Sequence, residues 1–208
     1  MKKILLTTGA LALAASAYAG GPVMNTVAPA HGTFYAGAGL GWASFYKSVV
    51  DPEYAQYLGS VYKVTKSGMA ARAHFGYLLP ISHMAQVGAE VGYTHFPTLK
   101  VASTTGTIKS KFYGLDLLAV AKFNVTDAMN LFAKAGFIQM NSTANINSSE
   151  TTARIKYSEV YTKAALGAGY TIMPNLDATL TYAHVFDIRD VSTSSNSVLA
   201  GLDYYFSV

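Results

Sequence analysis

The sequence predicts an all-β protein, an eight-stranded antiparallel up-and-down transmembrane β-barrel. Three observations favour this fold: apolar and polar residues alternate, the connections are alternately short and long, and the last segment has one apolar face. The hydrophobic fraction is 51% and the mean hydropathy is +0.25, yet the apolar residues are dispersed. A high apolar content that is dispersed along the chain is typical of transmembrane barrels, because lipid-facing and lumen-facing positions alternate along each strand. A soluble β-sandwich is the alternative, since it buries the same alternation against a second sheet.

The N-terminal segment has the features of an export signal. Lys2 and Lys3 precede an apolar stretch over 4–17, and Ala17-Tyr18-Ala19 has the small-x-small pattern of a cleavage site. This stretch is shorter than the roughly 20 residues that a helix needs to span a bilayer. The chain contains no Cys, so neither a disulfide framework nor a lipid anchor on Cys is expected. The expected segments are a signal peptide (1–19), a periplasmic N-terminal stub (20–32) and a transmembrane β-barrel with four extracellular loops (33–208).

Eight alternating segments have about the length of a tilted membrane-spanning strand, which is roughly ten residues. The predicted strands are 33–43, 68–78, 84–96, 111–125, 130–140, 158–172, 176–186 and 196–208. Short connections at 79–83, 126–129 and 173–175 contain Pro, Asn or Asp, which favour turns. The longer connections are 44–67, 97–110, 141–157 and 187–195. This asymmetry predicts short periplasmic turns and long extracellular loops, with both termini in the periplasm.

The charges and glycines of the predicted strands lie on one face. Nine charged residues have the parity opposite to that of the apolar residues, and the one exception, Lys111, is the first residue of its segment. A Lys or Arg facing lipid near the bilayer midplane costs roughly 2–4 kcal/mol, so the charged face is expected to line the lumen. Eleven glycines share this parity, as expected where eight strands enclose a narrow interior. Aromatic residues on the other face form two groups near the strand ends, which is typical of the girdles at the two membrane surfaces.

The final segment ends in Leu202-x-Tyr204-x-Phe206-x-Val208, with alternate residues apolar. Together with the export signal, the eight strands and the four long loops, this ending resembles the small outer-membrane β-barrel families. These are the transmembrane domain of OmpA-type proteins and the OmpX- and OmpW-like barrels. The resemblance implies a monomer in the bacterial outer membrane, inserted by the barrel-assembly machinery, with a structural or surface role.

Seven of the inward charges form the candidate lumen network. They are Arg72, Glu90, Asp116, Lys122, Lys134, Lys163 and Asp203. An unpaired charge is costly in a narrow interior, so we expect Arg72 to pair with Glu90 or Asp116. The network has two interpretations: a polar core that fills and rigidifies the barrel, or a salt-bridge gate that opens a path for small solutes.

The five histidines do not form a pattern that indicates catalysis. Only His74 has the inward parity, and we expect it to form a structural contact near Glu90 and Asp116. Because the sequence has no Cys, no paired His and no repeated Asp-x-Asp loop, we expect no metal and no cofactor. A non-enzymatic protein is therefore favoured, and the barrel proteases and lipid A-modifying barrels are the less favoured alternative.

The long connections are basic. Together with Lys111 at the border of one of them, they hold nine basic and five acidic side chains, whereas the rest of the chain after the signal peptide holds four basic and six acidic ones. A basic rim can bind the phosphates of lipopolysaccharide, and clustered tyrosines suit protein recognition. Nucleic acid is not indicated, because the charges are dispersed. The candidate surface-binding residues are Lys47, Tyr54, Tyr57, Tyr62, Lys100, Lys109 and Lys156.

These features predict an adhesin-like surface protein whose loops contact lipopolysaccharide and host or other surface ligands. A rim that only anchors the barrel in an anionic leaflet would carry the same charges. A narrow porin-like channel for small solutes is the competing function.

Overall fold

The structure is a computed structural model, and it describes residues 31–46, 61–103, 106–148, 152–186 and 194–206. All regular secondary structure in these ranges is β-strand. The strands are β1 (Thr33–Phe45), β2 (Val61–Thr65), β3 (Ser67–Pro80), β4 (Ala85–His95), β5 (Leu99–Ser103), β6 (Gly106–Asn124), β7 (Met129–Ser148), β8 (Thr152–Met173), β9 (Leu176–Phe186) and β10 (Ser195–Phe206). Within the described ranges there is no helix of the length and apolar character required to cross a membrane.

Eight of these strands close into an antiparallel barrel in the order β1, β3, β4, β6, β7, β8, β9, β10. The first and last strands pair along their length, from Phe34 opposite Phe206 to Phe45 opposite Ser195. The pairing of β6 with β7 completes the ring. Closure leaves no unpaired strand edge in the lipid, which is the condition for β-structure to cross the hydrocarbon region. The predicted fold class is confirmed, and each predicted segment corresponds to one barrel strand.

The barrel is taller on one side. β6, β7 and β8 have 19, 20 and 22 residues, whereas the other barrel strands have 11 to 14. Two short strands widen the tall side, because β5 pairs with β6 and β2 pairs with β5. We call this end of the barrel the extended end. The opposite end, where short connections join β3 to β4, β6 to β7 and β8 to β9, is the turn end.

The prediction that 97–110 and 141–157 are loops is wrong for most of these residues. They form β5 or continue β6, β7 and β8, and β2 forms within the predicted loop 44–67. The extensions are rich in Thr, Ser, Asn and Lys. Neither of their faces is uniformly apolar, so these extensions lack the apolar–polar alternation that predicts a strand. Their backbones nevertheless continue the hydrogen-bonded ladders of the strands to which they belong.

β6 illustrates how the sequence defines two faces. Leu115 and Leu117 are 58% and 59% exposed on the outer surface, whereas the next residue, Leu118, is 1% exposed. Of the nine strand charges predicted to face inward, seven are buried and Lys122 is half-buried. Glu159, which lies near the extended end of β8, is exposed. The apolar belt is therefore on the outside, and the charges are inside.

Candidate functional site

The barrel interior is stacked in layers along its axis. An apolar layer fills the extended end, and a layer of ion pairs lies next to it. A smaller apolar cluster follows, and a polar cavity opens at the turn end. Each strand contributes to the layers because every second residue points inward.

Arg72 lies at the centre of the ion-pair layer. Its Nη1 atom is 2.9 Å from Oε1 of Glu90, and its Nη2 atom donates a hydrogen bond of 2.5 Å to Oδ1 of Asp116. The three residues are buried and come from the adjacent strands β3, β4 and β6. A planar guanidinium can contact two carboxylates at once. Arg72 therefore pairs with both carboxylates that the sequence indicated as alternatives.

Each carboxylate also contacts a second cation. Lys134 donates a hydrogen bond of 2.7 Å to Oε2 of Glu90, and Lys163 donates one of 2.6 Å to Oδ2 of Asp116. The hydroxyl group of Tyr35 donates a further bond of 2.7 Å to Oε2 of Glu90. These contacts cross the lumen between strands that do not pair with each other. The network thus connects adjacent strands and also strands that face each other across the lumen.

His74 lies between Glu90 and Asp203. Its Nε2 atom is 3.0 Å from Oδ1 of Asp203 and 3.6 Å from Oε2 of Glu90. His74 therefore contacts Glu90, one of the two carboxylates expected near it, but its shorter contact is with Asp203 of the last strand. A void of about 20 Å³ adjoins His74 and Asp203. In the part of the chain that the structure describes, no group of three His, Asp or Glu side chains is arranged to hold a metal ion.

The ion-pair layer has equal numbers of positive and negative side chains when His74 is neutral. Its members are Arg72, Lys134 and Lys163 with Glu90, Asp116 and Asp203. Taking charges out of water is costly, and the layer offsets that cost only while each charge keeps its partners. Chemically, the arrangement is suited to holding strands together, since Glu90 and Asp116 each contact two cations and Asp203 contacts His74.

The apolar layer at the extended end closes the lumen above the ion pairs. Phe45 and Phe96 are 2% and 1% exposed, and the ring centroids of Phe45 and Phe112 are 5.2 Å apart. The layer contains Ala43, Phe45, Ala70, Phe96, Leu99, Phe112, Ile138, Met140, Val185 and Leu199. The sequence reasoning missed it because it followed only charges and glycines to the lumen. The inward parity of Phe112, four residues before Asp116, was the signal that could have identified it.

A polar cluster lines the cavity at the turn end. Lys122 is 3.0 Å from Oδ2 of Asp177 and donates a hydrogen bond of 2.8 Å to the hydroxyl group of Tyr205. Asn130 also donates to Oδ2 of Asp177, at 2.9 Å. The cavity has a volume of about 510 Å³. Lys122 therefore belongs to a cluster separate from the other predicted network residues. The apolar cluster that lies between the two contains Tyr35, Leu78 and Val120.

Gly92 makes room for the pair formed by Arg72 and Asp116. A Cβ atom at position 92 would lie 2.7 Å from Oδ1 of Asp116 and closer still to Nη2 of Arg72. Both groups are buried and held by ion pairs. We expect Gly92→Ala to lower the free energy of unfolding in lipid vesicles by about 1–3 kcal/mol, as overpacking does. Urea denaturation followed by heat-modifiable gel mobility measures this loss.

Gly39→Ala is the matched control for this substitution. Gly39 also faces the lumen, but a Cβ atom there would meet its nearest neighbour, the carbonyl oxygen of Ala200, at 3.2 Å. A smaller loss is expected because the contact is tight without being an overlap. Equal losses in the two variants would contradict the special role of Gly92.

The predicted surface-binding residues that the structure describes lie in strands rather than in loops. Lys100, Lys109 and Lys156 are exposed and lie in β5, β6 and β8. Tyr62 lies in β2. Outside the described residues lie Lys47, Tyr54 and Tyr57.

The closed eight-strand barrel with a polar interior agrees with comparisons to known proteins. The model of the family described as "OmpA-like transmembrane domain" matches residues 29–207. The chain belongs to this family. This OmpA-like barrel is 26% identical over 205 residues to outer membrane protein A of Serratia marcescens, a match that covers 95% of this chain and 55% of that protein. The chain spans about half the length of the curated relatives it matches.

Solved structures with the same fold are small outer-membrane barrels. One is Ail, the attachment invasion locus protein of Yersinia pestis, in complex with the heparin analogue sucrose octasulfate. It is 15% identical with a TM-score of 0.56, and the match covers 85% of this chain and 99% of Ail. Neisserial surface protein A is 16% identical with a TM-score of 0.53, with 85% of this chain and 99% of that chain covered. These similarities support the outer-membrane barrel fold of the OmpA-like chain.

Proposed function

We propose that this OmpA-like barrel is a structural and surface protein of the bacterial outer membrane that neither conducts solutes nor catalyses a reaction. Its extended end faces the cell exterior, and its turn end faces the periplasm. The observation that carries the proposal is the stacking of an apolar layer on an ion-pair layer inside the barrel. A barrel filled in this way is a rigid support for the extended sheet.

The two layers oppose passage of both polar and apolar solutes. A hydrated solute entering from the extended end would have to shed water against Phe45, Phe96 and Phe112. It would then meet carboxylates and cations already paired with each other at 2.5–2.9 Å. Opening a path requires breaking buried ion pairs, and a buried charge that loses its partner costs about 3–5 kcal/mol. Steady conduction is therefore not the favoured function.

A catalytic role is opposed by the position of the inward histidine. A nucleophilic or acid–base site needs a base within reach of a substrate. His74 lies in the ion-pair layer, between the apolar layer at the extended end and the cluster of Tyr35, Leu78 and Val120. A substrate would have to pass one of these described layers to reach its ring. His74 therefore acts as a structural group.

The rest of the proposed role concerns export and the cell surface. The signal peptide over 1–19 directs export, and the barrel-assembly machinery inserts the chain as a monomer. The extended end contacts lipopolysaccharide and, through the long connections, host or other surface ligands. The exposed lysines of β5, β6 and β8 support this part of the proposal.

A planar-bilayer recording tests the proposal. We expect the purified, heat-modifiable protein to give no steady openings, because both layers must be disrupted for ions to pass. Lys122→Gln serves as the control, since it changes the charge of the turn-end cavity without touching either layer, and it should also be silent. Steady openings of the wild-type protein would contradict the proposal.

A narrow channel is the second candidate function, and the cavity of about 510 Å³ at the turn end favours it. This cavity already gives a small solute access to part of the lumen. In a channel, the positive charge of Lys122 would stand at the entrance to the path. Openings whose ion selectivity shifts in Lys122→Gln would therefore establish this alternative.

A further inference from the structure

His74 connects two strands that do not pair with each other. It lies on β3, whereas Asp203 lies on the last strand, β10, and β1 separates the two strands. Gly37 of β1 is the register partner of both residues. A Cβ atom at Gly37 would lie 2.6 Å from the ring of His74 and closer still to Oδ1 of Asp203, so the glycine leaves the space in which the two side chains meet. The contact therefore bridges the seam at which the first and last strands close the barrel.

Asp203 differs from the other carboxylates of the ion-pair layer in its partners. Glu90 and Asp116 contact Arg and Lys side chains at 2.5–2.9 Å. Among the described residues, His74 is the one basic side chain in contact with Asp203, with Nε2 at 3.0 Å from Oδ1. Asp203 is 4% exposed, so its charge is largely removed from water. A positive charge on His74 would compensate that carboxylate directly.

The surroundings of the His74 ring suit a protonated imidazole better than a neutral one. Nε2 lies 3.0 Å from Asp203 and 3.6 Å from Glu90, yet neither ring nitrogen has a hydrogen-bond partner among the described residues. A neutral ring with its proton on Nδ1 would turn a lone pair toward both carboxylates. With its proton on Nε2, it could donate to only one of them and would leave Nδ1 as a buried acceptor. A protonated ring attracts both carboxylates through its charge.

The other charged and titratable groups around His74 are paired with one another. Tyr35 of β1, Arg72 of β3 and Lys134 of β7 all contact Glu90 of β4. Asp116 of β6 contacts Arg72 and also Lys163 of β8. β9 contributes the uncharged residues Thr179 and Thr181, which line the void beside the ring.

Histidine is the group of this layer whose charge ordinarily changes between about pH 5.5 and about pH 7. Carboxylates ordinarily carry their charge above about pH 5, and lysines and arginines carry theirs below about pH 7. A change of pH within this range therefore acts on the layer through His74. Its protonation adds one positive charge next to the carboxylate that has no other cation.

We propose that His74 and Asp203 form a proton-dependent clasp across the barrel seam, which we call the seam clasp. Protonation of the ring creates an ion pair between β3 and β10, and loss of the proton removes it. Only the folded barrel gives the protonated ring these carboxylates as partners. The stability that the seam clasp contributes is thus present at low pH and is lost as the pH rises. Acidification from about pH 7 to about pH 5.5 stabilises the barrel, whether or not the barrel conducts.

Urea unfolding in phosphatidylcholine vesicles at about pH 7 and about pH 5.5 tests this inference. We expect acidification to lower the unfolding equilibrium constant of the wild type about tenfold more than that of His74→Gln, which stays polar but cannot be protonated in this range. Asp203→Asn should lose most of the same pH dependence, because the ring then keeps only its longer contact with Glu90. His83→Gln is the matched control. His83 is exposed in the connection between β3 and β4, so this variant should keep the wild-type pH dependence.

Equal pH dependence of the wild type and His74→Gln overturns the inference. A wild-type barrel that loses stability on acidification, in a manner that His74→Gln abolishes, overturns it too, because burial of the charged ring would then outweigh the carboxylates. Loss of the pH dependence in His83→Gln would assign the effect to the turn and also contradict the seam clasp.

Nuclear magnetic resonance of the histidine ring nitrogens, in phosphatidylcholine nanodiscs, gives a reading that does not depend on unfolding. We expect the His74 ring of the wild type to change from neutral to protonated between about pH 7 and about pH 5.5. In Asp203→Asn the same change should occur at a lower pH, since one carboxylate partner is gone. A wild-type ring that stays neutral throughout, or a change unaffected by Asp203→Asn, contradicts the seam clasp. This measurement decides the question if His74→Gln does not fold.

Discussion

Replacing Arg72 with Ala is expected to lower the free energy of unfolding by about 3–5 kcal/mol, the cost of removing one partner from a buried ion pair. Arg72 is the cation shared by Glu90 and Asp116. Its removal leaves three carboxylates with two lysines in the ion-pair layer and opens a cavity among charges. Lys134 and Lys163 remain in contact with one carboxylate each, but neither has a planar group that can bridge both.

Urea denaturation in phosphatidylcholine vesicles measures this effect. Trp42 is the only tryptophan of the chain and lies on the outer face, 56% exposed, so its emission reports the loss of contact with lipid. Heat-modifiable gel mobility gives an independent reading of the folded fraction. If Arg72→Ala unfolds at the same urea concentration as the wild type, with the same slope, the ion-pair layer does not stabilise the barrel.

A double substitution distinguishes lost charge balance from lost packing. Asp116→Ala leaves an excess positive charge, whereas Arg72→Ala/Asp116→Ala restores equal numbers of cations and anions. We expect the double variant to lose less stability than the sum of the two single variants, because the two residues are in direct contact. Additive losses would mean that the pair contributes through packing alone. Arg72→Lys should lose less stability than Arg72→Ala but more than the wild type, since Lys keeps the positive charge but lacks the planar guanidinium that contacts both carboxylates.

The side-chain parity of the strands could be predicted from the sequence because the physics that sets it is local. Successive residues of a strand point to opposite faces, and a charge on the lipid face is penalised. Leu117 and Asp116 could therefore be assigned to outside and inside without any knowledge of their neighbours. The same reasoning predicted that Arg72 and Glu90 share the interior.

The depth of each residue along the barrel could not be predicted in this way, because it depends on the stagger between strands. His74 approaches Asp203 since the register aligns both with Gly37 on the intervening strand β1. A Cβ atom at Gly37 would lie 2.6 Å from the ring of His74, so this contact requires the glycine. Likewise, the assignment of Lys122 to the turn-end cluster follows from its distance to Asp177, which is on the far side of the barrel.

The strand extensions were missed for a different reason. The alternation that marks a strand within the membrane is imposed by lipid on one side and a packed lumen on the other. Beyond the membrane, β6 and β7 continue as far as Gly106 and Ser148 by backbone pairing alone. Their outer positions become Lys, Thr and Asn, which the sequence reasoning assigned to loops.

Leu117→Arg is expected to lower the free energy of unfolding in vesicles by about 2–4 kcal/mol, the cost of a cation on the lipid face near the bilayer midplane. Leu117 is opposite Val91 on β4 and Phe137 on β7, and all three side chains face outward and are exposed to lipid. No carboxylate on these paired positions could neutralise the new charge. The Arg side chain is long enough to bend toward the membrane–water interface, and this limits the loss of stability.

Asn141→Arg provides the matched control, because Asn141 is an outward residue of β7 paired with Tyr113 and Ser158. At this depth the cost of Arg should fall to about 0–1 kcal/mol, as it does near the membrane surface. The difference between the two variants locates the lipid layer on the barrel wall. If Asn141→Arg costs as much as Leu117→Arg, the hydrocarbon region extends past Tyr113. A large cost at Leu117 with a small one at Asn141 therefore supports a lipid belt that ends between these two positions.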